Sequence, residues 1–213
     1  MAGSDTTKRS LLWALQLLAN RPDIQRRAYA SIVESGIDDV LASPSVAHTN
    51  IPYIDALAKE VGRYFVVLRL ALPKATHGTV TWKGASIPPK TLLFLNTWAC
   101  ARDTDVFTDA DEFDPERWLD GDVMHRHQFA FGMGGRMCVA SHVASKALYT
   151  VFLHLVAHFE VLPVGEGVDS TAWDPLEGLL SKGNHQAAPA ATFVRLVPRD
   201  AEATRRMLSG AAA

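Results

Sequence analysis

Phe131-Gly132-Met133-Gly134-Gly135-Arg136-Met137-Cys138-Val139-Ala140 is the stretch whose reading decides the rest. It sets one cysteine just ahead of an apolar helical run. A thiolate at a helix N-terminus is favoured by the helix dipole and by unpaired backbone N–H groups, which fits the sulfur for a cationic metal. Gly132, Gly134 and Gly135 let the backbone turn tightly around the sulfur and bring a flat ligand near it. Arg136 adds a rigid positive fork for an anionic group beside the metal. Taken alone, a cysteine before a helix is most often an ordinary buried residue. The surroundings therefore carry the decision.

The chain has 213 residues, 48% of them hydrophobic, enough to bury a core in one or two globular units. Its formal net charge of -2 offers no general attraction to nucleic acid or anionic lipid, which argues against a polyanion-binding role. Cys100 and Cys138 are its only cysteines and lie in unrelated contexts. They imply neither a disulfide framework nor a C-x-x-C site, and they suit a reducing, intracellular compartment. Residues 1–9 are polar and lack the pattern of a signal peptide. The most apolar windows, residues 10–18 and 148–156, fall short of the roughly 20 residues that span a bilayer. The chain is thus not expected to be an integral membrane protein by itself.

Working outward, Leu148, Val151, Phe152, Leu155, Val156 and Phe159 recur at helical spacing, which predicts a long core helix directly after Cys138. Leu11, Leu12, Trp13, Ala14, Leu15, Leu17 and Leu18 occupy nearly every side of a helix, so the segment after Asp5 reads as a buried helix ending near Asn20. Pro22 suits the first turn of a second helix, running through Gln25, Ala28 and Ile32 towards Gly36. Residues 51–64 read as a third. Between residues 65 and 96, short apolar and β-branched runs alternate with Pro73, His77-Gly78, Lys83-Gly84 and Pro88-Pro89, which predicts short strands and turns. Residues 101–123 read as a meandering loop. Residues 160–163 and 191–198 read as a late strand pair, and the tail from Arg199 as mobile. The fold class expected is mainly α with small β-sheets.

Glu60 and Arg63 lie three apart, on one face of the third helix, and can pair. Such pairs are usually solvated and worth little. Pro115-Glu116-Arg117-Trp118 changes the reading, because Arg117 supplies a second cation to share the carboxylate and lock the meander onto the helix. In Ala2-Gly3-Ser4-Asp5-Thr6-Thr7, Ser4 or Asp5 reads most simply as an N-cap. Lys74, in Leu72-Pro73-Lys74-Ala75-Thr76, reads equally as an exposed lysine or as a point charge for an anionic ligand. Val66, Val67 and Leu68 suit either a β-rich core or an apolar ligand region. His125, His127, Cys138 and His142 are a set that zinc accepts, but the interval between His127 and Cys138 matches no common structural zinc spacing.

The loop spacing F-x-x-G-x-R-x-C-x-G/A, with Ala140 at its last position, resembles the haem-thiolate loop of the cytochrome P450 monooxygenases. Glu60/Arg63 and residues 115–118 are similar to that family's E-x-x-R and P-E-R-F signatures, and residues 2–6 to its A/G-G-x-D/E-T motif. The order is the family's own, and the resemblance runs from Ala2 to about Pro198, with residues 199–213 as tail. It is similar in particular to fungal phenylacetate hydroxylase-like members.

The resemblance implies haem b (iron protoporphyrin IX) with Cys138 as axial ligand and metal site. Phe131, Gly134, Arg136 and Lys74 are implied haem contacts, while Glu60, Arg63 and Arg117 hold the pocket. Asp5 and Thr6 are implied catalytic residues that deliver protons during oxygen activation, a reading that here displaces the N-cap. The implied partners are a small organic substrate, aromatic ones included, O2 and an NADPH-dependent cytochrome P450 reductase, with no nucleic acid. The implied activity is monooxygenation in fungal secondary metabolism, at the endoplasmic reticulum for a full-length member. Met1 immediately precedes the oxygen-side motif, within what is usually a long central helix. The expected fold is therefore the C-terminal portion of the family fold, truncated at that helix, with less distal cover over the haem. The alternative is a non-catalytic remnant or interaction protein.

Overall fold

The computed structural model describes residues 2–36, 50–119, 129–165, 169, 171–183, 186–190 and 193–210. Three helices open the chain: α1 (Ala2–Asn20), α2 (Pro22–Glu34) and α3 (Pro52–Phe65). Pro22 and Pro52 each occupy the first turn of their helix, where a missing N–H costs nothing. α2 gives way at Gly36, in the left-handed region at φ 63°, and α3 at Val66, at φ 40°. A left-handed valine is strained. It is held there by a side chain that is 1% exposed.

Short strands follow: β1 (Lys74–Ala75), β2 (Val80–Trp82), β3 (Ala85–Ile87) and β4 (Leu92–Leu93). β1 pairs antiparallel with β4, Lys74 opposite Leu93, and β2 with β3, Val80 opposite Ile87. α4 (Thr97–Cys100) begins at Asn96, whose side chain accepts from the Ala99 N–H. The meander then runs through turns into a single 3-10 turn at Pro115–Trp118. After the cysteine loop come α5 (Ser141–His158), β5 (Phe159–Pro163), β6 (Val194–Pro198) and α6 (Ala201–Gly210). β5 and β6 pair antiparallel, Phe159 opposite Pro198.

The main core lies where α1, α3 and α5 meet. Trp13, Leu17 and Leu18 of α1 pack with Ile54, Leu57, Val61 and Phe65 of α3 and with Phe152, Leu153 and Val156 of α5. Trp13 stacks on Phe65 with ring centroids 4.7 Å apart. Each such side chain contributes about 1.5–3 kcal/mol when fully buried. Gln25 joins this core to the sheet: its amide donates to Leu18 O at 3.1 Å and Val161 O at 3.0 Å, and accepts from the Val161 N–H at 2.7 Å.

Two expectations change in detail, and the N-cap reading already displaced is excluded by the backbone as well. α1 already begins at Ala2, so Ser4 and Asp5 lie inside the helix and the N-cap reading falls. α1 is not buried on every side, since Leu11, Leu12 and Leu15 are only partly covered. The segment after Pro198, read as a mobile tail, carries a helix. Arg199 ties its start down, donating from Nε to Val156 O at 2.9 Å with its guanidinium 4.1 Å from the Tyr29 ring centre. The signal was present in Asp200, whose carboxylate caps the Glu202 and Ala203 N–H groups.

Candidate functional site

α3 provides the scaffold. Glu60 is fully buried and Arg63 is 2% exposed. Glu60 Oε1 accepts from Arg63 Nη2 at 2.7 Å, from Arg117 Nε at 3.2 Å and from the Asp114 N–H at 2.9 Å. Oε2 accepts from Arg63 Nε at 2.8 Å and from Trp118 Nε1 at 2.8 Å. The rest of Arg63 is spent on the meander: Nη1 donates to Ala101 O and Ala110 O at 2.8 and 2.6 Å, and Nη2 to Glu112 O at 2.8 Å. Arg117 donates to Thr108 O at 2.6 Å and to Asp109 O and Glu112 O at 3.2 Å each. A buried ion pair persists only when its remaining hydrogen-bonding capacity is met, as it is here. The residues that sequence reasoning missed are Trp118 and the backbone N–H of Asp114. Trp118 directly follows Arg117, and its indole N–H is the available signal.

A second cationic cluster flanks the first. Arg102 lies 3.2 Å and Arg69 4.0 Å from the centre of the Trp98 ring. Arg102 donates to Tyr64 O at 2.9 Å. Its burial, with Arg63 close by, pushes its guanidinium down to about 10.

The cysteine loop is organised by its backbone. Gly132 and Gly134 have φ of 76° and 69°, which side-chain-bearing residues rarely adopt. The Cys138 N–H donates to Phe131 O at 2.8 Å, the Gly132 N–H to Phe129 O at 2.8 Å and the Met137 N–H to Gly134 O at 3.0 Å. The 3-10 turn at Phe129–Phe131 packs against α3 and α4, so the loop is seated on the helix that carries Glu60 and Arg63. Cys138 itself is exposed, two residues ahead of the Ala140 that caps α5. Apolar surface is open around it: Met133, Met137 and Val143 are exposed, and Val139 is 98% exposed.

Glu60, Arg63 and Arg117 are thus brought together by the fold. Arg136 lies exposed in the 3-10 turn at Gly134–Arg136, and Lys74 exposed in β1. Neither side chain has a hydrogen bond or ion pair to the described residues. Phe131 is partly buried. Asp5 is exposed near the start of α1, and the Thr6 and Thr7 hydroxyls donate to Gly3 O at 3.4 and 3.0 Å. Val66 and Val67 are buried, and Val67 O accepts from the Ala187 N–H at 2.8 Å, which suits the core reading. His125 and His127 of the zinc alternative lie outside the described residues.

One accessible thiol ahead of a helix, apolar surface beside it and unpaired cationic side chains suit a flat apolar cofactor with anionic substituents, as haem is. Among the described residues no three His, Cys, Asp or Glu side chains group as a metal site. The family model of cytochrome P450 matches residues 1–186. The chain is 38% identical over 198 residues to 3-hydroxyphenylacetate 6-hydroxylase of Emericella nidulans, covering 93% of this chain and 37% of that protein. It is 30% identical over 212 residues to phenylacetate 2-hydroxylase of the same organism, covering 98% and 41%. A zebrafish cytochrome P450 solved with abiraterone superposes with a TM-score of 0.77 at 26% identity, covering 93% of this chain and 45% of that one. The chain belongs to the cytochrome P450 family, and it spans less than half the length of these relatives. No described helix is long and apolar enough to cross a membrane.

Proposed function

We propose that this chain supplies the thiolate side of a haem monooxygenase, with Cys138 as the axial ligand and Glu60, Arg63 and Arg117 holding the loop's platform. The observation that carries this is the exposed Cys138 thiol on a backbone-locked glycine loop, seated directly on the helix of the buried Glu60 cluster. Bound haem supplies oxygen activation, its thiolate donating electron density that favours O–O cleavage. Arg136 and Lys74 bind its anionic substituents as unpaired cations. Gly132 and Gly134 keep side chains off the turn beside the sulfur. Asp5 and Thr6 hold and pass protons on the oxygen side, the Thr6 hydroxyl being positioned by Gly3 O.

In the net reaction one oxygen atom of O2 enters the substrate and the other leaves as water. Two electrons come from NADPH through a cytochrome P450 reductase, with two protons. The relatives named 3-hydroxyphenylacetate 6-hydroxylase and phenylacetate 2-hydroxylase support a small aromatic acid as substrate class. Reduction of the haem-loaded chain under carbon monoxide is expected to give the red-shifted thiolate Soret band, absent in Cys138→Ser. A histidine-type or free-haem spectrum for the unaltered chain removes the reading.

A further inference from the structure

At the other end of α5 from the cysteine loop, α2, the end of α5 and the start of α6 bound a cavity of about 90 Å3, lined in part by Tyr29, His158, Arg199, Asp200 and Thr204. Two of its groups are buried polar side chains without a partner. His158 is 2% and Thr204 4% exposed, and neither His158 Nε2 nor Thr204 Oγ1 has a hydrogen bond to the described residues. Folded proteins rarely leave such atoms unmet, so two of them facing one cavity call for a partner there, such as a bound ion or water. Arg199 adds a cation that makes no ion pair among the described residues. Its position is fixed by its Nε bond to Val156 O, its backbone N–H bond to His158 O at 2.8 Å and its stacking over Tyr29. The one carboxylate in the wall, Asp200, is occupied by the helix start: its Oδ1 accepts from Glu202 N at 2.8 Å and Ala203 N at 2.9 Å.

We propose that this cavity binds a small oxyanion, a carboxylate or a phosphate, through the Arg199 guanidinium, the Thr204 hydroxyl and His158 Nε2. All three groups can donate, and an unpaired guanidinium selects for negative charge. The volume limits the ligand: it exceeds a single water and is smaller than the roughly 150 Å3 cavity that admits benzene. Burial, helped by His154, holds the His158 imidazole below its ordinary value, which favours the neutral ring, and its Nε2–H tautomer is the one that can donate to an anion. The bound anion links the end of α5 to α6 and fixes the C-terminal helix on the core.

The test is an NMR titration of the 213-residue chain, following the His158 ring nitrogens while sodium acetate or sodium phosphate replaces sodium chloride at constant ionic strength. A saturable shift is expected with one or both anions, and the two arms identify carboxylate or phosphate. Thr204→Val is expected to weaken binding about tenfold, the loss of one hydrogen bond to a charged ligand, with Thr204→Ser restoring it. Arg199→Gln is expected to abolish saturation. No response beyond that to chloride, or an equal response in Thr204→Val and Arg199→Gln, overturns the proposal.

Discussion

The Glu60 cluster and the Cys138 loop are neighbours built on opposite terms. In the cluster every oxygen of Glu60 and every N–H of Arg63 is used inside the protein, at 0% and 2% exposure. In the loop the backbone is bonded, but the Cys138 side chain and the apolar residues beside it are exposed. The difference separates the stability of the fold from the accessibility of the thiol. The rigid part lies behind the loop, so the thiol stays accessible without the fold depending on it.

Breaking the cluster should have the largest effect. Glu60→Ala leaves Arg63 buried without its counter-charge and strips partners from Trp118 Nε1 and the Asp114 N–H. The expected loss is about 3–5 kcal/mol, read from urea unfolding followed by circular dichroism. A cost below about 1 kcal/mol would remove the cluster from the scaffold. Arg117→Met should cost less, about 1.5–3 kcal/mol, because Arg63 still neutralises Glu60 and the loss is of hydrogen bonds to the meander. An Arg117→Met cost equal to that of Glu60→Ala would show that the two cations are equivalent.

The same contrast explains what the sequence made legible. Glu60, Arg63 and Arg117 were readable because a spacing of three on a helix and a fixed Pro-Glu-Arg turn are local patterns. The placement of Trp118 and of the carbonyls of Ala101, Ala110 and Glu112 was not, because the fold of the meander alone brings the indole to Glu60 and the carbonyls to Arg63. The strand pair after α5 followed from β-branched residues, and its register, Val161 opposite Leu196, from the structure alone. α6 was missed because its apolar face is sparse and its anchor, Arg199 over Tyr29, is a contact between distant residues. The exposure of Cys138 likewise depends on how the loop sits on α3, which no spacing encodes.

Two intermediate changes sharpen the comparison. Gly132→Ala forces a Cβ into the left-handed region at φ 76° and should cost about 1–2 kcal/mol. Its Cβ would meet Met137 Cα only at 3.9 Å, so the cost is backbone strain and not a clash. A melting temperature equal to that of the unaltered chain would contradict this. Acid should weaken the fold at the far end of α5. His158 is held below its ordinary 6.5 in the folded state, chiefly by burial and then by His154, so the unfolded chain takes up the proton first. This contribution is fully present above pH 6.5 and declines as the pH falls through the window below it. Melting curves at descending pH should show the decline, and His158→Phe should flatten it. An unchanged slope in that variant would assign the acid sensitivity elsewhere.

Cys138→Ser should have the smallest effect on stability and so tests the separation most directly. The side chain is exposed, and the loop's bonds from Cys138 N to Phe131 O and from Ser141 N to Cys138 O are made by backbone atoms that the substitution keeps. Exposed substitutions of this kind stay within about 0.5 kcal/mol. The unfolding midpoint of Cys138→Ser without cofactor should therefore match that of the unaltered chain, while its thiolate-type carbon monoxide spectrum disappears. A large loss of stability without cofactor would mean that the sulfur is packed into the fold. In that case the loop would be a second scaffold, and the accessible ligand would have to be sought elsewhere in the chain.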